Sequence, residues 1–242
     1  MSTFDPPEAD RVFDGGDMDC GSGLILLLRQ NLLETPEGGV LEMRSSEPTV
    51  GDELPPWCRM VGHEHLGTVE DTAGHWRHFL RRLADESVQL EEDKQKARDY
   101  EWRVRVRSTG NRAATAYARN FSFTVGQPAS FDESDDHPSA LEHVLAALAA
   151  ELVNGFATHC HQAGLEIDDL ECTAKGRLHD VLAQVGLSDG DPSIARVDLS
   201  LFATSPEKGT VLRDAWESVR NRSPLLQTLA KACDVHDRFV VM

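Results

Sequence analysis

The chain has 242 residues, enough for two small domains or one large one, and its 40% hydrophobic and 27% charged content is ordinary for a globular protein. The formal net charge of −17 excludes non-specific binding to a phosphate backbone, which requires clustered Lys and Arg, so we expect no nucleic-acid partner. No apolar run approaches the ~18–20 residues that span a bilayer, and the N-terminus lacks the basic and apolar regions of a secretory signal. We therefore expect a cytoplasmic protein with no membrane partner.

The first third of the chain predicts a small unit of helices and strands. Residues 1–11 are polar and Pro-rich, so we expect a flexible tail there. Residues 12–82 carry alternating strand and helix signals. The predicted elements are a strand at Val12–Asp14, an apolar helix at Leu24–Leu33, a strand at Val40–Arg44, a helix at Glu53–Gly62 and a closing strand at His75–Leu80.

This order resembles the TusA/SirA sulfur-carrier domain, a β-α-β-α-β-β two-layer sandwich. The resemblance rests on Phe13-Asp14 ahead of Cys20, on Pro36-Glu37-Gly38, on Val40-Leu41-Glu42, and on Trp57-Cys58 with His63. Cys20 lies just ahead of a helix, whose N-terminus stabilises a thiolate, and the resemblance implies that this Cys carries a persulfide received from a sulfur-donor protein. The family's Cys-Pro-x-Pro is Cys20-Gly21-Ser22-Gly23 here, so both prolines are replaced by glycine.

The rest of the chain predicts a linker and a second unit. Residues 83–98 are highly charged and contain neither Gly nor Pro, which predicts a stiff, partly helical linker. The second unit, residues 99–242, opens with a strand at Tyr100–Arg107 whose apolar and arginine residues alternate, as in a half-buried strand. Further strands are predicted at Ala114–Val125, Ile167–Gly176, Ile194–Ala203 and His236–Val241, and helices at Ser139–Leu165, Gly209–Arg220 and from Ser223. Strands interspersed with helices in this order predict an α+β domain.

The long helix carries one apolar stripe. Its members recur at three- and four-residue spacing: Leu141, Val144, Leu145, Leu148, Leu152 and Phe156. The Ala-rich run from Glu142 to Glu151 resembles the central helix of the OsmC/Ohr family of thiol-dependent hydroperoxide reductases, in which a Glu opens the helix and a reactive Cys ends the run. The resemblance covers the whole second unit, and it implies an active site built across an intertwined homodimer.

The family's site residues map onto four positions of this chain. By resemblance, Glu142 matches the helix-opening Glu, and Arg119 matches the Arg that holds the thiolate. Glu151 stands at the reactive Cys and Ser223 at the resolving Cys. A carboxylate cannot form a sulfenic acid or a disulfide. Because an unpaired carboxylate in an apolar cleft is costly, we expect Arg119 to pair with Glu142, Glu151 or both.

The other Cys and His residues indicate neither a cofactor nor a metal site. The chain has five cysteines and no CxxC pair, and an odd count argues against a disulfide framework. The His63-Glu64-His65 and His159-Cys160-His161 groups match no closed zinc pattern.

Together these patterns predict a thiol-redox or oxidative-stress protein of the OsmC family whose peroxidatic activity is lost or reduced. Any thiol chemistry would rest on Cys20. Two alternatives stay open at this point: a non-catalytic dimer that holds a small hydrophobic or thiol ligand in a cleft beside the long helix, and a sulfur-relay adaptor that uses Cys20. Whether the chain is an enzyme is therefore left undecided by its sequence.

Overall fold

The chain folds into two compact units, Met1–Glu101 and Trp102–Met242, in a computed structural model that describes residues 4–19, 23–71, 75–110, 112–130 and 135–242. Both units mix helices and strands, which confirms the predicted α+β class. The sequence placed a linker at residues 83–98. The structure places this stretch in the first unit, and most of it is helical.

Among its described residues, the first unit has one four-stranded sheet and three helices. In chain order its elements are β1 (Arg11–Asp14), α1 (Leu24–Glu34), β2 (Val40–Ser45), α2 (Val50–Val61), β3 (Glu64–Glu70), β4 (Trp76–Arg81) and α3 (Ser87–Arg98). The strand order is β1-β2-β4-β3, with β1 parallel to β2 and the other pairs antiparallel. The predicted β-α-β-α-β-β order is thus confirmed, and α3 follows it.

The core of this unit lies between the sheet and the helices α1 and α2. A parallel β1–β2 pair needs a crossover, which α1 supplies. Leu28 of α1, Leu54 of α2 and Leu41 of β2 are each 0% exposed and belong to one apolar cluster. Burying each of these side chains contributes about 1.5–3 kcal/mol.

The segment predicted as a flexible tail makes contacts with the sheet. Arg11 already belongs to β1, and the ring of Phe4 packs against Phe79 with the ring centroids 5.8 Å apart. A Cβ placed on Gly67 would lie 2.6 Å from the Phe4 ring. Because Gly67 has no side chain, the Phe4 ring can pack directly against its backbone.

The part of the second unit that the structure describes contains two three-stranded sheets. Its elements are β5 (Val104–Gly110), β6 (Ala113–Ala118), β7 (Phe121–Val125), α4 (Ala140–Gln162), β8 (Asp169–Leu178), α5 (Val181–Gln184), β9 (Ile194–Thr204), α6 (Gly209–Arg222), α7 (Pro224–Leu229) and β10 (Asp234–Val241). One sheet has the order β5-β6-β7 and the other β10-β9-β8.

Helix α4 provides the central apolar stripe of this unit. Leu148, Leu152 and Phe156 are 0% exposed and pack in one cluster with residues of β9 and α6, as the sequence spacing predicted. Val144, nearer the start of the helix, is 42% exposed. By length and composition alone α4 is the one helix among the described residues that is long and apolar enough to cross a membrane, and its buried stripe is what a core helix presents to its neighbours.

The β5-β6-β7 sheet corrects one prediction. The sequence indicated that its first strand is half-buried, but every residue of β5 is exposed in the single chain. Val104 and Val106 are 59% and 60% exposed, and Phe121 on β7 is 65% exposed. The alternating pattern was read correctly as a strand.

Candidate functional site

The sequence predicted thiol chemistry at Cys20, which precedes helix α1. Cys20, Gly21 and Ser22 lie outside the described residues, and Gly23 forms the N-cap of α1 with φ 105° and ψ 1°. Proline fixes φ near −65°, so a proline at position 23, as in the family's Cys-Pro-x-Pro, could not adopt this backbone. Gly23 therefore permits an N-cap conformation that proline does not allow.

The first turn of α1 carries no carboxylate. It begins with Leu24 and Ile25, and no acidic residue follows within the turn. The amides of Leu26 and Leu27 both point back to the carbonyl oxygen of Gly23, at 3.1 and 3.3 Å. A helix start of this kind leaves its partial positive charge uncompensated by acidic side chains of that turn, which favours a nearby thiolate.

The four described cysteines are free and have weakly acidic thiols. Burial raises the pKa of the Cys58 thiol to about 12 and that of Cys160 to about 11. Burial also raises the pKa of Cys172 and of Cys233. Because the thiolate is the nucleophile, none of these four positions is prepared for thiol chemistry near neutral pH.

Glu142 is engaged at the start of α4. Its Oε2 accepts hydrogen bonds from the Ser139 amide at 2.6 Å and from Ser139 Oγ at 2.8 Å, while the Glu142 amide donates to Ser139 Oγ at 3.3 Å. These bonds lower the pKa of Glu142. The pair forms a capping box. Sequence reasoning missed Ser139, although Ser-x-x-Glu before an apolar run is the signature of this motif.

Glu151 and Ser223 come together at the start of α7. Glu151 Oε2 accepts a hydrogen bond from the Leu225 amide at 3.2 Å. Ser223, which is 3% exposed, accepts one from the Leu226 amide at 3.0 Å through its Oγ. Two successive amides at the start of the helix are thus satisfied by the two residues that the resemblance placed at the reactive and resolving cysteines.

The sequence predicted that Arg119 lies within a strand, but the structure places it outside both neighbouring strands. It occupies the turn between β6 and β7 with φ 53°, a left-handed conformation, and its guanidinium lies 5.6 Å from the centroid of the Phe121 ring. Among the residues that the structure describes, no ion pair joins Arg119 to Glu142 or Glu151. The expected pairing is therefore not made within one chain.

A cavity of about 260 Å³ lies beside the β5–β6 turn of the second unit. Its lining is largely polar and includes Arg112, Gln127 and Asp135. Gln127 Nε2 donates to Asp135 Oδ2 at 2.9 Å, so part of this lining is already paired. It differs in character from the apolar ligand cleft that the sequence suggested.

Comparison with known proteins identifies relatives of the first unit. The sulfur carrier protein TusA of Pseudomonas putida strain GB-1 is 31% identical over 85 residues, which is 35% of this chain and 100% of that protein. TusA of Pseudomonas entomophila is 30% identical over 76 residues, 31% of this chain and 92% of that protein. The first unit thus matches essentially complete TusA proteins.

The second unit matches a different family. The model of the OsmC-like protein family matches residues 133–236. The crystal structure of an OsmC-like protein from Mycoplasma pneumoniae has a TM-score of 0.52 and 16% identity, and the match covers 60% of this chain and 99% of that one. At this identity the likeness shows the fold alone. The two matches confirm the predicted fusion of two domains.

Proposed function

Because the chain belongs to the TusA sulfur-carrier family through its first unit and joins that domain to an OsmC-like domain, we propose that it is a sulfur carrier whose thiol chemistry rests on Cys20. In this proposal the OsmC-like unit has lost the peroxidatic thiol. The two family memberships support sulfur-relay and redox or oxidative-stress roles in general. The details of the site favour the sulfur-relay role.

The observation that carries the proposal is the pair of hydrogen bonds at the start of α7. Glu151 and Ser223, at the positions of the two cysteines by resemblance, accept bonds from the amides of Leu225 and Leu226. Neither residue can be oxidised to a sulfenic acid or joined in a disulfide. Both act here as helix caps.

The described cysteines give further support. Cys160 lies in α4, the helix that carries Glu151, but its thiol is 0% exposed and its pKa is raised to about 11. Cys172 and Cys233 also have raised pKa values. Cys20 is thus the cysteine that remains for thiol chemistry.

The proposed transfer is an exchange between sulfur atoms. The Cys20 thiolate attacks the outer sulfur of a donor persulfide, R–S–SH. The donor S–S bond breaks, a new S–S bond forms to give Cys20–S–SH, and R–S⁻ leaves with the electron pair. An acceptor thiolate then removes the outer sulfur and regenerates the Cys20 thiolate, so no external oxidant or reductant is consumed.

Intact-mass spectrometry after exposure to a persulfide donor tests this step. The wild-type chain and Cys172→Ser should each gain one sulfur atom, whereas Cys20→Ser should gain none. Cys172→Ser is the matched control because it removes a thiol of raised pKa. Sulfur loading that survives Cys20→Ser, or its absence from the wild type, contradicts the proposal.

A hydroperoxide assay tests the second part. With cumene hydroperoxide and a dithiol reductant, the wild-type chain should consume peroxide no faster than the reductant alone. Fast turnover that survives both Cys20→Ser and the double variant Cys20→Ser/Cys58→Ser would place a peroxidatic group in the second unit and contradict the loss of its peroxidatic thiol.

We also propose that the second unit forms a homodimer. The apolar face of the β5-β6-β7 sheet exposes Val104, Val106, Phe121 and Phe123 in the single chain. Contiguous exposed apolar side chains of this kind mark protein interfaces.

A further inference from the structure

A buried ion cluster lies beneath α3 in the first unit. Arg29 on α1 is 5% exposed, Glu86 at the N-cap of α3 is 7% exposed and His63 after α2 is 6% exposed. Arg29 Nη1 donates to Glu86 Oε1, and Arg29 Nε lies 3.3 Å from Asp93 Oδ2 on α3. Charged side chains are seldom buried to this degree without such pairing.

The hydrogen bonds of His63 fix its tautomer. Its Nδ1 accepts from the amides of Leu83 and Ala84, at 3.2 and 3.4 Å. The proton therefore resides on Nε2, which donates to Glu86 Oε2 at 3.0 Å. Each oxygen of the Glu86 carboxylate thus receives a donor from a different element of the first unit.

Trp57 packs against the buried ion cluster, and we call the space between Trp57, Arg29 and His63 the Glu86 pocket. The Arg29 guanidinium lies 5.4 Å from the centroid of the Trp57 ring, and the rings of Trp57 and His63 are 6.2 Å apart. The indole holds the guanidinium by a cation–π contact and limits its movement. Arg29 of α1, Trp57 of α2 and His63 therefore surround the Glu86 carboxylate, and the amides of Leu83 and Ala84, which follow β4, hold the His63 ring in place.

Apart from these ion pairs, helix α3 makes few buried contacts with the rest of the first unit. Leu90 is its one buried apolar residue, and Val88 is 74% exposed. A helix of 12 residues is marginal in isolation, so its attachment must come from tertiary contacts. The Glu86 carboxylate, with Asp93 in support, is the main polar contact that α3 makes with this pocket.

We propose that Arg29, Trp57 and His63 form a carboxylate-binding site on the sulfur-carrier unit, and that Glu86 occupies it as a displaceable internal ligand. In the closed state α3 covers the flank of α1. An acidic polypeptide segment that offers its own carboxylate to Arg29 and His63 would compete with Glu86 and release α3. The site does not include Cys20, so its tests do not depend on whether Cys20 carries sulfur.

Hydrogen exchange on the full chain tests the role of Glu86. Glu86→Gln keeps the size of the side chain but removes its charge, and amides of residues 87–98 should then exchange about 10-fold faster or more, because a hydrogen bond to a charged group is lost. Glu92→Gln is the matched control, since Glu92 is an exposed residue of the same helix. Equal protection of α3 in Glu86→Gln and the wild type would overturn the proposal.

A peptide-binding experiment tests whether the site accepts a ligand from outside. The receptor is the full chain with Glu86→Gln and Asp93→Asn, and the probe is a labelled synthetic peptide of residues 83–98. This peptide should bind the receptor at least about 30-fold more tightly than the same peptide carrying Glu86→Gln, the ratio expected for a buried charged pair. Arg29→Gln in the receptor should abolish the difference. Equal binding of both peptides, or binding of neither, contradicts the proposal.

Discussion

His78 is a residue of the first unit whose charge state is set by burial. It is 0% exposed and faces Thr68 and His65 on β3 and Gly51 at the start of α2. Thr68 Oγ1 lies 2.9 Å from His78 Nδ1 and 3.3 Å from His65 Nε2. Burial, aided by the neighbouring His65, lowers the pKa of His78 to about 4.

This lowered pKa predicts loss of stability in acid. The unfolded chain binds a proton at this position below about pH 6.5, whereas the folded chain does so only near pH 4. The contribution of neutral His78 to the free energy of unfolding is therefore fully present above pH 6.5. This contribution is lost as the pH falls to 4, and the free energy of unfolding then decreases by roughly 3 kcal/mol at most. Denaturant unfolding of His78→Phe should show a flatter pH dependence than the wild type. The exposed His179→Gln should behave as the wild type does, and an equally steep loss in His78→Phe would refute the assignment.

Glu151 gives a second prediction at the residue scale. If its carboxylate caps α7, Glu151→Ala should lower the free energy of unfolding of the second unit by about 0.5–2 kcal/mol. Glu171→Ala is the control, because Glu171 is an exposed strand residue. A stabilising effect of Glu151→Ala would mean that the carboxylate is strained in place and serves another purpose.

The secondary-structure elements show what the sequence could reveal. Periodicity predicted α1, α4 and β9 nearly to their ends, because each carries a regular apolar stripe that one unit buries. The pattern could not show that α3 docks on α1, since a single buried residue, Leu90, and three charged partners carry that contact. Composition alone made this helix look like a linker.

The candidate site was predicted less well than the fold. A strand that continues through Arg119 was expected, but the left-handed turn there has neither a Gly nor a Pro to mark it. The family resemblance placed Glu151 and Ser223 at the positions of the two cysteines, yet their meeting at the start of α7 depends on how α4 packs against that helix. Long-range contacts of this kind leave no local signal in one sequence.

The N-terminal segment provides a prediction at the level of elements. Gly67→Ala should displace the Phe4 ring, because the new Cβ would lie 2.6 Å from it. The free energy of unfolding of the first unit should then fall by about 1–3 kcal/mol, it should also fall in Phe4→Ala, and the double variant should add little. Gly51→Ala is the control, since its Cβ would meet nothing closer than 3.7 Å. An unchanged free energy of unfolding in Gly67→Ala would contradict the packing of Phe4.

At the scale of the whole molecule, the exposed sheet face predicts a dimer. Light scattering after size-exclusion chromatography should give twice the chain mass of 26.7 kDa. Val106→Glu, which places a charge on the apolar face, should shift the mass to 26.7 kDa. Arg107→Gln changes the net charge equally but lies on the opposite face, and it should remain dimeric. A monomeric wild type would refute the proposed interface.

We propose that thiol chemistry resides in the sulfur-carrier unit and is absent from the OsmC-like unit. The most direct test of this proposal is the rate at which iodoacetamide modifies each cysteine of the native chain at pH 7, read by peptide mapping. Because burial raises the pKa of Cys58 to about 12 and that of Cys160 to about 11, both thiols remain protonated and poorly reactive at this pH.

We expect Cys20 to be modified rapidly, the partly exposed Cys172 and Cys233 slowly, and the buried Cys58 and Cys160 only after unfolding. Modification of Cys160 or Cys172 at a rate equal to that of Cys20, or an inert Cys20 in the native chain, would contradict the assignment of thiol chemistry to Cys20.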